Sequence, residues 1–150
     1  MQKLNVLFLC TGNSARSQMA EGFLRHYALD EFNAFSAGIE PKGMNPLTVK
    51  VMQEKGVSLE GQHSKSLRDY LGRQLFAYLV TVCADAEEKC PSVWPGVQYR
   101  LHWKFDDPAA ATGTEEQRLT KFREVRDLID MRIQQFIAEV REKNAAAAHR

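Results

Sequence analysis

The sequence has little net charge, no long apolar run and few cysteines. Its 150 residues include 20 basic and 19 acidic side chains, so the formal charge is +1, and this balance argues against a surface for nucleic acid or anionic membrane. No apolar run approaches the roughly 20 residues that a membrane-spanning helix needs. The N-terminal apolar stretch lacks a small-residue cleavage pattern and is predicted to be a strand rather than an export signal. We therefore expect a cytoplasmic protein.

The three cysteines, Cys10, Cys83 and Cys90, are an odd number and include no Cys-x-x-Cys pair. Structural disulfides are not expected, because the cytosol keeps such thiols reduced. The four histidines are scattered along the chain, which argues against a structural zinc site. On these counts alone two interpretations stay open: the thiols are reactive, or they are buried and chemically inert.

Strand patterns alternate with helical patterns along the chain. The predicted strands are residues 4–9, 32–37, 76–82 and 97–103, and the predicted helices are residues 17–29, 45–56, 66–71 and 119–140. Such alternation is typical of a doubly wound α/β sheet, here with about four parallel strands. We expect one domain over residues 1–143 and a disordered tail at 144–150. In such folds the functional site lies beyond the carboxyl ends of the strands, and Cys10 follows the first strand.

The loop CTGNSARS, residues 10–17, joins the first strand to the first helix. A helix N-terminus presents free N–H groups and the positive end of the helix dipole, which together bind anions. Arg16 adds a forked donor for two oxygens of one anion, and Gly12 and Asn13 tolerate unusual backbone angles. The residues small enough to curl round a tetrahedral oxyanion are Thr11, Gly12, Asn13, Ser14 and Ala15.

The same electrostatic field favours the thiolate at Cys10, and Ser17 is placed to donate a hydrogen bond to its sulfur. The sequence therefore predicts an anionic nucleophile inside an anion-binding loop. The alternative is a plain strand-to-helix turn that carries an incidental cysteine.

This Cys-x5-Arg-Ser motif resembles that of the low-molecular-weight protein tyrosine phosphatase superfamily, and CTGNSARSQMAEG resembles in particular its thioredoxin-coupled arsenate reductases. The segments TVCADAEEKCP (81–91) and HWKFDDPA (102–109) extend the resemblance over nearly the whole chain. It implies a single-domain three-layer sandwich, with strand order 2-1-3-4, helices on both faces and an oxyanion held by residues 10–17. No tightly bound cofactor is expected, and a monomer is the default expectation.

Cys83 follows the buried strand 76–82, so a parallel sheet would bring it to the same edge as Cys10. A phosphatase resolves its intermediate with water, whereas a reductase needs two electrons, which further thiols can supply. The resemblance implies a relay: Cys10 attacks arsenate, Cys83 attacks Cys10 as arsenite leaves, and Cys90 then attacks Cys83. The alternative is that Cys83 and Cys90 only pack in the core.

A helix between Cys83 and Cys90 would separate their Cα atoms by about 10.5 Å, whereas a disulfide spans about 4.4–6.8 Å. The segment must therefore unwind for these two sulfurs to bond, which would expose the disulfide to thioredoxin. Glutaredoxin with glutathione is the alternative electron donor, although two cysteines after the nucleophile favour thioredoxin.

The segment FDDP offers two carboxyl groups, Asp106 and Asp107. In the family the Asp before Pro is the general acid, so the resemblance implies that Asp107 protonates the leaving hydroxyl; the alternative for both residues is capping of a turn. Ala109 and Ala110 stand where the phosphatases usually have aromatic residues, which argues against a phosphotyrosine substrate. Many relatives carry a further cysteine at the position of Ala15, which the relay does not require.

Some relatives have a potassium site near the loop. The matching residues are Asn13, Glu21, Ser36 and Ser64. The carboxylate expected beside them falls near Ser66, and this argues against the site, because hard cations prefer charged oxygen ligands. The alternative is that Glu21 braces the loop through Asn13.

Three functions remain open from the sequence. Thioredoxin-dependent reduction of arsenate, an arsenic-detoxifying activity, is favoured. A low-molecular-weight protein tyrosine phosphatase is the alternative enzyme, and a non-catalytic redox sensor is the alternative outside enzymes.

Overall fold

The computed structural model describes residues 2–148. Four strands, β1 (Leu4–Cys10), β2 (Phe32–Gly38), β3 (Phe76–Thr81) and β4 (Val97–His102), form one sheet. All neighbouring strands are parallel, in the order β2-β1-β3-β4. The predicted fold class and strand order are therefore confirmed.

The four α-helices are α1 (Arg16–Ala28), α2 (Pro46–Glu54), α3 (Ala84–Lys89) and α4 (Glu115–Ala148). Short 3-10 turns lie at Leu67–Asp69 and Pro108–Ala110, so the helix predicted over residues 66–71 is reduced to one such turn. Among residues 2–148, no helix combines the length and apolarity needed to cross a membrane.

The sheet is covered on both faces. Phe32 packs against Phe136 of α4, while Phe35, three residues along the same strand and hence on the opposite face, packs against Tyr70. The four residues Val6–Leu9 of the central strand β1 have no exposed surface. This double burial explains why their sequence is continuously apolar rather than alternating.

Two helix boundaries follow from local chemistry. Asn45 caps α2, since its side chain accepts a hydrogen bond from the Leu47 N–H at 2.9 Å, and Pro46 occupies the first turn, where no intrahelical donor is lost. Helix α4 continues to Ala148, so residues 144–148 of the predicted tail are helical. Alanine has the highest helix propensity, and four alanines close this segment. His149 and Arg150 lie outside the described residues.

Candidate active site

The loop between β1 and α1 is closed around the Cys10 sulfur. Asn13 takes a left-handed conformation (φ 49°), which no other non-glycine residue of the described chain adopts. This turn directs the Asn13 backbone N–H at Cys10 Sγ, 3.1 Å away. The unusual backbone angle foreseen for this loop therefore falls on Asn13, whereas Gly12 is outside the left-handed region.

Ser17 Oγ lies 2.8 Å from Cys10 Sγ and accepts a hydrogen bond from Asn13 Nδ2, also at 2.8 Å. Because Asn13 supplies one donor to this oxygen, the serine's own hydrogen is free to point at the sulfur. Cys10 thus has two donors aimed at it while it is 2% exposed. Hydrogen bonds to the charged form favour that form, so the geometry suits a thiolate nucleophile.

The outer side of the loop is braced by contacts from other parts of the chain. Gln18 Nε2 donates to the carbonyl and side-chain oxygens of Asn13, each at 3.0 Å, and Ser64 Oγ donates to the Gly12 carbonyl at 3.1 Å. A Cβ at Gly38 would lie 2.8 Å from the Thr11 carbonyl oxygen, so glycine lets the end of β2 approach the loop. Nothing in the sequence singled out Gln18, which by type resembles an ordinary surface residue of a first helical turn.

Helix α1 begins directly after the loop, and its N-cap residue, Ala15, has no polar side chain to satisfy the first helical N–H groups. These donors are therefore open to an anion. Arg16 reaches into the same space: one guanidinium nitrogen donates to the Phe105 carbonyl at 3.1 Å, and the other lies 3.9 Å from Asp107 Oδ2.

Asp107 and Asp106 have different surroundings. Asp107 faces Arg16 and also caps the turn Pro108–Ala110, because its Oδ1 accepts from the Ala109 N–H at 3.0 Å. Asp106 is more exposed and pairs with Lys121 at 3.2 Å. The two roles weighed for Asp107, acid and cap, are therefore compatible in one side chain.

Cys83, the second thiol, lies at the same edge of the sheet as Cys10. Val82 N donates to the Leu9 carbonyl at 2.9 Å, which aligns the ends of β3 and β1 and places Cys83 beside the loop. Cys83 Sγ lies 3.5 Å from Thr11 Oγ1, and it caps α3 by accepting from the Ala86 N–H at 3.4 Å.

Cys90 occupies the opposite end of α3 and is also buried. Burial raises the pKa of the Cys90 thiol, and the charge of Arg100 partly opposes that rise. Arg100 further holds the chain after Cys90, donating to the Pro91 and Ser92 carbonyls at 2.7 and 3.1 Å. All three cysteines are reduced.

Asp85, in the first turn of α3, is a pocket residue that the sequence did not reveal. Its carboxylate accepts from Thr11 Oγ1 at 2.8 Å and pairs with Lys89 at 3.2 Å. The hydrogen bond from Thr11, followed by that from Lys89, holds the pKa of Asp85 below its usual range. In the sequence Asp85 is only an acidic residue near a helix N-terminus. Such residues are common because they interact favourably with the helix dipole, so its place in the pocket could not be inferred.

These groups line one pocket of about 510 Å³ that contains Cys10, Cys83, Arg16 and Asp107. Two further cations, Lys42 and Lys104, and the residues Thr11, Gly12, Ser14, Ala15, Asp85 and Asp106 also line it. Asn13 and Ser17 belong to the same loop but do not line the pocket, and both are completely buried. The arrangement can hold a tetrahedral anion against one thiol with a second thiol at the rim.

The residues matched to a potassium site do not suit a potassium ion. Asn13 Oδ1 already accepts two hydrogen bonds, from Gln18 Nε2 and from the Lys65 backbone N–H at 2.9 Å. Ser36 donates its hydroxyl hydrogen to Glu21 at 2.6 Å. Because donors already engage these oxygens, few lone pairs remain for a hard cation. Nor do residues 2–148 hold a group of three or more His, Cys, Asp or Glu side chains able to bind a metal.

Comparison with known proteins agrees with this geometry. The family model for low molecular weight phosphotyrosine protein phosphatase matches residues 5–146. The chain is 50% identical over 137 residues to an arsenate reductase of Shouchella clausii, covering 91% of this chain and 96% of that one.

Two solved structures are also similar. The structure of an arsenate reductase in the phosphate binding state superposes with a TM-score of 0.76 at 28% identity, over 92% of this chain and 98% of the other. A thioredoxin-dependent arsenate reductase of Corynebacterium glutamicum gives a TM-score of 0.73 at 29% identity, over 94% of this chain and 63% of the other. The chain belongs to the low molecular weight phosphotyrosine protein phosphatase family and, within it, to the arsenate reductases.

Proposed function

We propose that the protein reduces arsenate to arsenite through a relay of its three cysteines and takes its electrons from thioredoxin. The observation that carries the proposal is that Cys10 and Cys83 both line one pocket, whose other groups can bind an anion. The arsenate reductase relatives support the substrate, and the thioredoxin-dependent relative supports the electron donor.

In the first step the loop N–H groups and Arg16 hold the arsenate oxygens, which places arsenic in front of Cys10 Sγ. The thiolate attacks arsenic and an arsenic–oxygen bond breaks. The leaving hydroxyl takes a proton from Asp107 and departs as water. The Arg16 guanidinium lies 3.9 Å from Asp107, so the acid stands beside the oxygens that Arg16 holds.

In the second step the Cys83 thiolate attacks Cys10 Sγ. The electron pair of the sulfur–arsenic bond stays on arsenic, which leaves as arsenite, while a Cys10–Cys83 disulfide forms. In the third step the Cys90 thiolate attacks Cys83 Sγ, a Cys83–Cys90 disulfide forms, and Cys10 departs as a thiolate. The enzyme has then lost two electrons in total, the number that arsenate has gained.

The third step requires α3 to unwind. Cys83 and Cys90 cap the two ends of this six-residue helix, and seven residue steps of an α-helix span about 10.5 Å, too far for a disulfide. So short a helix has little stability of its own. Because Arg100 holds the carbonyls of Pro91 and Ser92, we expect the rearrangement within residues 84–89 rather than after Cys90.

An exposed disulfide is then open to a thioredoxin dithiol, which attacks one sulfur, releases both protein thiols and becomes a disulfide itself. Three thiols that must return to the reduced state suit a reducing compartment, so we place the enzyme in the cytoplasm.

The test is arsenate-dependent oxidation of NADPH in the presence of thioredoxin and thioredoxin reductase. We expect sustained turnover by the wild type and its loss in Cys10→Ser, Cys83→Ser and Cys90→Ser. Glutaredoxin with glutathione, supplied instead, should support far slower turnover. Hydrolysis of an aryl phosphate that survives loss of Cys83 and Cys90, without arsenate reduction by the wild type, would overturn the proposal in favour of a phosphatase.

A further inference from the structure

Glu21 is a buried charge that the proposed relay does not use. Its side chain is 5% exposed, and the residue lies on α1 and does not line the pocket. An ionised carboxylate in such a place needs compensating cations and hydrogen bonds. Ser36 Oγ donates to one carboxylate oxygen at 2.6 Å, and Arg25 donates to the other at 2.6 Å.

A second cation comes from Lys65, whose side chain is 12% exposed. Its ammonium lies 3.8 Å from Glu21 and donates to the His63 carbonyl at 2.6 Å. Burial lowers the pKa of Lys65, and the Glu21 carboxylate opposes that shift. With Arg25 and Lys65 both beside one carboxylate, a bound cation would add a third positive charge to a site that already has two.

Lys65 also touches the loop through its backbone. Its N–H donates to Asn13 Oδ1 at 2.9 Å, and its carbonyl accepts from the Gly38 N–H at 2.8 Å. Asn13 in turn donates to Ser17 Oγ and, from its backbone, to Cys10 Sγ. A continuous series of contacts therefore runs from Glu21 through Lys65 and Asn13 to the reactive sulfur.

We infer that the Lys65 ammonium takes the place of a bound monovalent cation: it compensates the charge of Glu21 and thereby positions the anion-binding loop, residues 10–17. The bracing role considered for Glu21 then passes through Lys65 rather than directly to Asn13. The inference concerns the reduced, resting protein and does not depend on arsenate as the substrate.

Two variants separate the charge of Lys65 from the space that its side chain fills. Lys65→Met removes the charge and keeps most of the volume, whereas Lys65→Ala removes both and opens a gap beside Glu21. The control is Lys50→Met, since Lys50 is largely exposed and pairs with the exposed Glu115 at 3.8 Å. Thermal unfolding of each protein is followed in potassium chloride and in choline chloride at equal ionic strength.

We expect Tm of the wild type and of Lys50→Met to be the same in the two salts. Both Lys65 variants should unfold about 2–4 °C or more below the wild type in choline chloride. Potassium should raise Tm of Lys65→Ala, because Glu21 Oε1 and the His63 carbonyl have lost their ammonium partner there, and should leave Tm of Lys65→Met, where the side chain still fills the space, unchanged. A Tm of the wild type that rises specifically with potassium, or a Lys65→Ala protein no more sensitive to potassium than the wild type, would overturn the inference.

The positioning role has its own readout, the rate at which iodoacetamide alkylates Cys10, followed by peptide mass spectrometry. This rate should change in Lys65→Met and should return toward the wild-type rate in Lys65→Ala when potassium is added. An unchanged rate in both variants in choline chloride would refute the coupling to the loop. Because arsenate takes no part in these measurements, failure here is distinct from failure of the proposed relay.

Discussion

Replacement of Ser17 by alanine tests how the loop stabilises its nucleophile. The change removes the hydroxyl 2.8 Å from Cys10 Sγ and also removes the acceptor of the Asn13 Nδ2 hydrogen bond. A hydrogen bond to a charged group contributes about 1.5–3 kcal/mol. At about 1.4 kcal/mol per factor of ten, loss of this hydrogen bond should slow alkylation of Cys10 by at most about 10- to 150-fold.

The assay uses a protein in which Cys10 is the single cysteine, obtained by changing Cys83 and Cys90 to serine. The rate of alkylation by iodoacetamide reports the thiolate, because the thiol reacts far more slowly. Ser17→Ala in this background should react more slowly, by up to that factor, and Ser58→Ala, at an exposed serine, should react like its parent. An equal or faster rate in Ser17→Ala would refute the assigned role of the hydroxyl.

The variant should also be less stable, because Asn13 Nδ2 is left without this acceptor in the interior. Such a buried, unsatisfied donor costs about 1–3 kcal/mol, which corresponds to a fall in Tm of about 2–12 °C for a chain of this length. The alkylation rate thus tests the hydrogen bond from Ser17 to Cys10, and Tm tests the hydrogen bond from Asn13 to Ser17.

Three other predictions concern the acid, the core and the last thiol. Asp107→Asn should lower the arsenate turnover number about 10²- to 10⁴-fold, while Asp106→Asn stays near wild type; equal effects would contradict the assignment. Phe136→Ala, which empties a ring position in the core, should cost about 3–5 kcal/mol and lower Tm by about 6–20 °C, whereas the exposed Leu128→Ala should not. Because burial raises the pKa of Cys90, its attack should accelerate with pH, up to about tenfold per unit near neutrality; a pH-independent rate in quenched-flow thiol mapping would contradict this.

The sheet could be predicted because its strands carry local patterns. The apolar run Val6–Leu9 indicates a strand that is buried on both faces. The apolar residues that recur at helical spacing from Leu119 to Val140 indicate one buried face of a helix. Helical spacing alone is a weaker guide to burial. Tyr27 follows Met19 and Phe23 at intervals of four residues, yet it is 40% exposed while they are fully buried.

The sequence revealed the site residues mainly where they lie close together along the chain. Cys10, Arg16 and Ser17 lie in one loop, so their relation could be inferred from spacing. Lys65, by contrast, contacts the loop from 52 positions away, through Asn13 Oδ1. Gln18 follows Ser17 directly, but its orientation depends in part on the His63 carbonyl, 45 positions away. Their side-chain types are ordinary at the surface, and only the fold shows that they are drawn inward to the loop.

The central claim is that Cys10 and Cys83 share an anion pocket and that α3 unwinds to pass the oxidation on to Cys90. The most direct measurement is disulfide mapping by mass spectrometry after one turnover with arsenate in the absence of thioredoxin. The account predicts a Cys83–Cys90 bridge in the wild type and a Cys10–Cys83 bridge in Cys90→Ser. Arsenite formed while Cys83 and Cys90 both remain reduced would contradict it.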